Sequence, residues 1–172
     1  MNEGDTRASY SVEPLGDHDR LSFSCGIPEL DRYLHVQAGQ DATRKVAAPF
    51  VLVDADGNIA GYYTLSAYAV RLGGLPQAVA RRLPKYPLIP ATLLGRLAVS
   101  QAHQGRKLGR LLVMDALFRS WKSSAAVASV GVVAEAMNDA ARAFYVSHGF
   151  LPLADQPRKV FLAMRTIQKA FS

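Results

Sequence analysis

The stretch from residue 93 to residue 133 leaves few folds open. Residues 93–99 (LLGRLAV) form an apolar run of strand length. A polar turn with Gly105 follows at 101–107. Residues 108–121 then place Leu108, Leu111, Leu112, Ala116 and Leu117 on one face of a helix. A second apolar run occupies 127–133. A strand–helix–strand crossover of this kind makes its two strands parallel. Upstream, 50–53 and 59–70 read as strands on either side of Asp54-Ala55-Asp56-Gly57-Asn58, which is turn chemistry, so an antiparallel hairpin is expected. A chain holding both units needs a mixed sheet, and its class is α/β or α+β.

The remaining elements follow from local signals. Residues 9–15 suit a first strand. Cys25-Gly26-Ile27-Pro28-Glu29-Leu30 reads as a helix start with Pro and Glu in its first turn. Leu30, Tyr33 and Leu34 continue that helix, and Gly39 is the expected stop. Residues 75–83 suggest a short basic helix. Pro84, Pro87 and Pro90 argue against regular structure before residue 93. A helix is expected over 138–148, closed by Gly149, and a last strand over 159–167. The 172 residues fit one domain, 1–172, by the usual ~100–200 residues per domain. With 49% apolar and 20% charged residues, only residues 1–9 read as candidates for disorder. The polar opening MNEGDTRASY has no apolar core of a signal peptide, and no apolar run nears a membrane span, so the expected location is the cytoplasm, without membrane attachment. The one cysteine, Cys25, can form no internal disulfide.

Charge is distributed unevenly. Between Arg71 and Lys122 stand ten Lys/Arg and a single acid, Asp115, while the whole chain carries +6. A basic middle suggests a polyanionic ligand, with an ordinary solvated surface as the alternative. The segment Gln104-Gly105-Arg106-Lys107-Leu108-Gly109-Arg110 lies between a strand and a helix. A helix N-terminus offers backbone N–H groups and partial positive charge, and glycine lets the backbone approach a phosphate. The turn has neither the Lys-Ser/Thr ending of a Walker A loop nor a GxGxxG arrangement, which argues against ATP and NAD.

Two segments resemble the GNAT family of N-acetyltransferases. Gln104 to Gly109, preceded by Leu94-Gly95-Arg96-Leu97-Ala98-Val99, is similar to its Arg/Gln-x-x-Gly-x-Gly/Ala acetyl-CoA motif, with Lys107 in place of the middle glycine. Asn138-Asp139-Ala140-Ala141-Arg142-Ala143-Phe144-Tyr145, ending in Gly149-Phe150, is similar to its Asn-x-x-Ala-x-x-x-Tyr…Gly-Phe pattern. Cys25-Gly26 through Tyr33-Leu34, and Tyr86-Pro87-Leu88-Ile89-Pro90 before residue 94, resemble the toxin branch of type II toxin–antitoxin systems. The resemblance implies a GNAT acyl-CoA N-acyltransferase fold, a mostly antiparallel sheet with a central parallel pair flanked by helices. It implies acetyl-CoA as cosubstrate, no metal, aminoacyl-tRNA as substrate, and a block of translation. It also implies a ribbon-helix-helix antitoxin, DNA contact only through that antitoxin, and a homodimer.

Carried over residue by residue, the resemblance makes Tyr145 the acid that protonates the CoA sulfur. Leu97, Ala98, Val99, Gln104, Gly105, Arg106, Lys107, Leu108, Gly109, Arg110, Asn138, Ala141 and Phe144 become the cofactor contacts, although Asn138 could equally cap a helix. Arg71, Arg81, Arg82 and Lys85 lie outside the cofactor turn, and with Arg96 they are the expected contacts to tRNA phosphates. Cys25 reads as a structural thiol and His103 as a solvated loop histidine. His18, His35 and His148 lack metal-ligand spacing. Two other functions stay open: acetylation of a small amine or a protein N-terminus, and non-catalytic acetyl-CoA binding.

Overall fold

The computed structural model describes residues 9–172. Residues 1–8, most of the stretch expected to be disordered, lie outside the described residues. The strands are β1 (Ser11–Pro14), β2 (Ala48–Val53), β3 (Ile59–Arg71), β4 (Leu88–Val99), β5 (Gly131–Glu135), β6 (Leu151–Leu153) and β7 (Gln156–Ala163). The helices are α1 (Pro28–Arg32), α2 (Ala38–Thr43), α3 (Gln77–Ala80), α4 (Leu108–Ser123), α5 (Asp139–Ser147) and α6 (Met164–Phe171). Hydrogen-bonded neighbours run in the order β1-β2-β3-β4-β5-β7-β6. Strands β4 and β5 pair in parallel, as the crossover required. The described residues form two compact units, 9–65 with Arg96–Ala116, and Ser66–Gly95 with Leu117–Ser172.

In the first unit β1 pairs antiparallel with β2, and β2 with β3, so the expected hairpin forms. The Asp54 carboxylate accepts from the Asp56 and Asn58 N–H groups at 2.9 Å each, which fixes the turn. Helix α1 begins with Pro28, whose fixed φ suits the first helical position, and carries Glu29 and Asp31 in its first turn. The helix does not stop at Gly39. It passes through a π-turn (Tyr33–Gln37) into α2, and a Cβ at Gly39 would fall 2.5 Å from the Arg20 guanidinium. Glycine there makes room for Arg20, and Lys45, at φ 61°, follows the helix end instead. Phe23, Leu30, Tyr33, Leu34, Val51 and Tyr62 form the core of this unit.

In the second unit the parallel ladder reads Thr92↔Val132, Leu93↔Val133 and Leu94↔Ala134, and β7 pairs antiparallel with β5 and β6. Val70, Leu75, Ile89, Ala91, Val133 and Phe161 pack its core. Strand β4 starts five residues earlier than expected and contains Pro90. That proline is tolerated because its carbonyl accepts from Val130 N–H ahead of the ladder, where its own missing N–H is not needed. Strand β5 starts later than expected, since Ser124, Ala125, Ala126 and Val127 still donate back to residues 120–123. The basic helix shrinks to α3. The expected last strand ends at Ala163, and 164–171 is helical, with Ile167 buried and Phe171 stacked on Trp121 at 6.0 Å. On α4, Leu111 is only half-buried, while Leu108, Leu112, Val113, Ala116, Leu117 and Ser120 are buried.

Gly131 sits where a Cβ would strike the Leu162 carbonyl and fall 2.5 Å from the Phe161 ring. Neither neighbour can yield easily inside a packed ladder. Gly131→Ala is expected to cost ~1–3 kcal/mol, the usual range for overpacking, as a lower urea midpoint at unchanged slope.

Candidate active site

The turn before α4 belongs to the first unit. Gly105 lies at φ 84° and Lys107 at φ 60°, both left-handed. Successive N–H groups in such a backbone converge into an anion-binding concavity. Lys107 thus adopts the conformation that a glycine would take without strain, which answers the one departure from the family pattern. Leu108 anchors the helix start in the core at 2% exposure, whereas Arg106 and Arg110 are exposed. Arg106 donates to the Tyr10 hydroxyl at 3.0 Å. Gln104 is tied to the fold: its side-chain amide donates to the carbonyls of Cys25 and Val99, both at 3.3 Å.

Strand β4 supplies the second feature. Arg96 N–H donates to Thr64 Oγ1 at 3.1 Å, and Ser100 N–H to the Ala60 carbonyl at 2.8 Å. Backbone groups alternate edges along a strand, so the N–H groups of Leu97 and Val99 face the opposite edge. The parallel ladder of β4 with β5 ends at Leu94, ahead of both. Ala98 is buried, and a Cβ on Gly61 would fall 2.9 Å from its carbonyl.

In the second unit α5 carries the other motif. Asn138 is its N-cap, accepting from Ala141 N–H at 2.8 Å, which favours the capping role over a ligand contact. Gly149, at φ 94°, follows the helix end as expected. Tyr145 is 4% exposed, with Phe144 at 5.5 Å and Phe150 at 5.4 Å between ring centres. Burial pushes its phenol well above the ordinary tyrosine range, so it holds its proton at any physiological pH.

The basic residues divide between the two units. Arg71, Arg81, Arg82 and Lys85 are exposed in the second. Arg96, in the first, is half-buried, and its guanidinium lies 3.6 Å over the Tyr33 ring. Tyr33 donates to Asp41 at 2.8 Å, and Gln37 and Tyr33 hold the Asp41 carboxyl below its usual range. No signal in the sequence pairs Arg96 with Tyr33, because 62 residues separate them.

Cys25 is buried, its Sγ faces the Ile27 carbonyl, and burial with Asp31 pushes its thiol up to about 11, as suits a structural thiol. His103 is not a solvated loop histidine. Its side chain is 15% exposed, pairs with Asp54 at 3.3 Å and meets the Tyr10 ring edge-on. Among the described residues no group of His, Cys, Asp or Glu could hold a metal ion.

The glycine-like phosphate turn, the unladdered edge of β4 and a buried tyrosine on the last motif helix are features of an acetyl-CoA-dependent acyltransferase. Residues 47–152 match the acetyltransferase (GNAT) domain model, and the chain belongs to the GNAT acetyltransferase family. Over 147 residues it is 35% identical to a tRNA-acetylating toxin of Mycobacterium tuberculosis (strain ATCC 25618 / H37Rv), covering 86% of this chain and 87% of that protein. The fold is similar to that of AtaT complexed with acetyl-methionyl-tRNAfMet, with a TM-score of 0.88, 30% identity and coverage of 95% and 99%. It is also similar to a tyrosine-to-phenylalanine mutant of AtaT bound to acetyl-CoA and the C-terminus of the antitoxin AtaR, with a TM-score of 0.82, 28% identity and coverage of 95% and 99%.

The backbone of Lys107 yields a test of the turn. A left-handed conformation costs a non-glycine residue ~1–2 kcal/mol, most for a β-branched one. Lys107→Gly is expected to leave thermal stability equal or slightly raised, whereas Lys107→Val lowers it by ~1–2 kcal/mol in calorimetry.

Proposed function

We propose that this chain is an acetyl-CoA-dependent N-acetyltransferase that acts as a toxin, acetylating the α-amine of aminoacyl-tRNA and so blocking translation. The whole chain, 1–172, works as a single catalytic domain in this reading. What carries it is the likeness, along most of the chain, to a tRNA-acetylating toxin, joined to a middle stretch with ten cations and one acid. A cationic small-molecule substrate would favour an acidic pocket instead.

Acetyl-CoA supplies the acyl thioester. Its pyrophosphate suits the N–H groups of residues 105–109, with Arg106, Lys107 and Arg110 adding charge, while Leu97 and Val99 offer main-chain bonds to the pantetheine arm. Ala98, Gln104, Leu108 and Gly109 hold the turn in place, and Asn138, Ala141 and Phe144 do the same for α5. The substrate amine attacks the thioester carbon through its lone pair. An α-amine titrates near ~7.7–8.0, so a sizeable fraction is already neutral and a strong protein base is not required. Val99 N–H donates to the carbonyl oxygen as charge gathers there. As the carbon–sulfur bond breaks, Tyr145 gives its proton to the departing sulfur, and the new amide releases the amine proton to water.

Arg71, Arg81, Arg82 and Lys85 bind phosphates of the tRNA acceptor end, and Arg96, its face resting on Tyr33, offers its guanidinium edge. A ribbon-helix-helix antitoxin holds the toxin in check and makes the DNA contacts, the enzyme works as a homodimer, and it acts in the cytoplasm. No helix among the described residues is long and apolar enough to cross a membrane.

The deciding experiment follows labelled acetyl from acetyl-CoA to charged tRNA, uncharged tRNA and a polyamine. Label on charged tRNA alone is expected; label on the polyamine alone replaces the toxin with a small-amine enzyme. Tyr145→Phe should lower turnover by ~10²–10⁴-fold. Turnover of the wild type should rise through ~pH 8 as the amine deprotonates and show no fall from loss of the acid by ~pH 10, since burial raises the phenol above its ordinary value. Arg81→Glu with Arg82→Glu should weaken tRNA binding, and wild-type affinity should fall steeply with salt.

A further inference from the structure

The second unit holds a cleft of about 530 Å³ that the cofactor motifs do not account for. Its walls include Arg71, Gly73, Gly74, Lys85, Tyr86 and Asp155. That volume lies within the ~300–1,000 Å³ of small-ligand pockets. Three segments are laced together around it. Leu72 N–H donates to the Pro87 carbonyl at 3.3 Å, Ala154 N–H to the Gly74 carbonyl at 3.1 Å, and Tyr86 N–H to the Pro84 carbonyl at 2.8 Å. Gly74 is small for a reason, since a Cβ there would lie 3.1 Å from Asp155 Oδ1.

Tyr86 is 62% exposed, an unusual position for a large ring. Pro84 and Pro87 stiffen the backbone on either side, so the ring is presented at little entropic cost. An exposed ring that shares a cleft with two cations suits one ligand class well. Aromatic faces stack on unpaired bases, while Arg and Lys take the flanking phosphates. Asp155 adds a hydrogen-bond acceptor, which favours bases with an exocyclic amine. The same carboxylate disfavours an acidic peptide, which would ask only for cations.

We propose that this cleft receives one unpaired nucleotide of the tRNA substrate's 3′ end, with its base stacked on Tyr86, its exocyclic amine donating to Asp155 and its phosphates held by Arg71 and Lys85. The inference rests on the aminoacyl-tRNA reading above and adds a base-stacking residue to the cations Arg71 and Lys85. It makes binding depend on the single-stranded end and not only on backbone charge.

The test measures the affinity of the full-length protein for uncharged tRNA by fluorescence anisotropy at fixed salt. Three probes are used: the intact tRNA, the same tRNA trimmed of its unpaired 3′ nucleotides, and one with uridines in their place. Tyr86→Ala should weaken binding of the intact tRNA by about tenfold, and Tyr86→Phe should retain it. Gly73→Met is a second obstruction, because a Cβ at Gly73 meets no atom within 4 Å and the fold has no objection to it. It should weaken intact tRNA as Tyr86→Ala does. Trimmed tRNA should bind all variants alike, and the uridine-ended tRNA more weakly than the intact one. Unchanged melting temperature and acetyl-CoA affinity verify that each variant is folded. Wild-type affinity for intact tRNA in both Tyr86→Ala and Gly73→Met overturns the proposal, even while the wild type acetylates charged tRNA and the functional reading stands. Loss of antitoxin binding without loss of tRNA binding also overturns it and assigns the cleft to a peptide. A wild type that transfers no acetyl to charged tRNA removes the functional reading itself, and this use of the cleft with it.

Discussion

A peptide group shut away from water has to find a partner, or its burial costs ~1–3 kcal/mol. Strand β4 meets that demand in two different ways along its length. Up to Leu94 it is laddered with β5. Beyond Leu94, side chains take part: Thr64 Oγ1 accepts from Arg96 N–H, and the Gln104 amide covers the Val99 carbonyl. Gln104 also reaches the Cys25 carbonyl, so one side chain staples the phosphate turn both to the strand and to the segment that leads into α1. The turn's shape is therefore set before any ligand arrives, which is how a site avoids ordering itself during each turnover.

Much of this was legible in the sequence, and the reasons differ by element. The crossover and the hairpin announced themselves through periodicity and turn chemistry, both of which are local. The site motifs were legible because each sits on one continuous stretch: Gln104 to Arg110, and Asn138 to Phe150. Boundaries failed where tertiary contacts outvote local signals. Pro90 stays within β4 because its place ahead of the parallel ladder needs no N–H, and Gly39 stays within α2 because Arg20 needs the space. Residues 164–171 look strand-like through Ile167, yet become helical as Ile167 sinks into the core and Phe171 finds Trp121. The stacking of Arg96 on Tyr33, the pairing of His103 with Asp54, and the cleft beside Tyr86 join residues far apart in the chain. No single-sequence pattern encodes such encounters.

The positive charge that composition reports as one block is several things in space. Arg96 rests on an aromatic face and Arg106 is bonded to a tyrosine hydroxyl, so both are partly held by their own unit. Arg71, Arg81, Arg82 and Lys85 are exposed in the other unit. A salt-dependent affinity would thus draw unequally on the ten cations, with the exposed group responding most to ionic strength.

The solitary cysteine has a consequence of a different kind. Oxidants attack the thiolate, and Cys25 is both buried and held protonated, with its sulfur directed at the Ile27 carbonyl. The protein accordingly lacks a thiol that peroxide, glutathione disulfide or nitrosating agents could readily modify. Its activity is thereby insulated from the redox state of the cell as far as thiol chemistry is concerned.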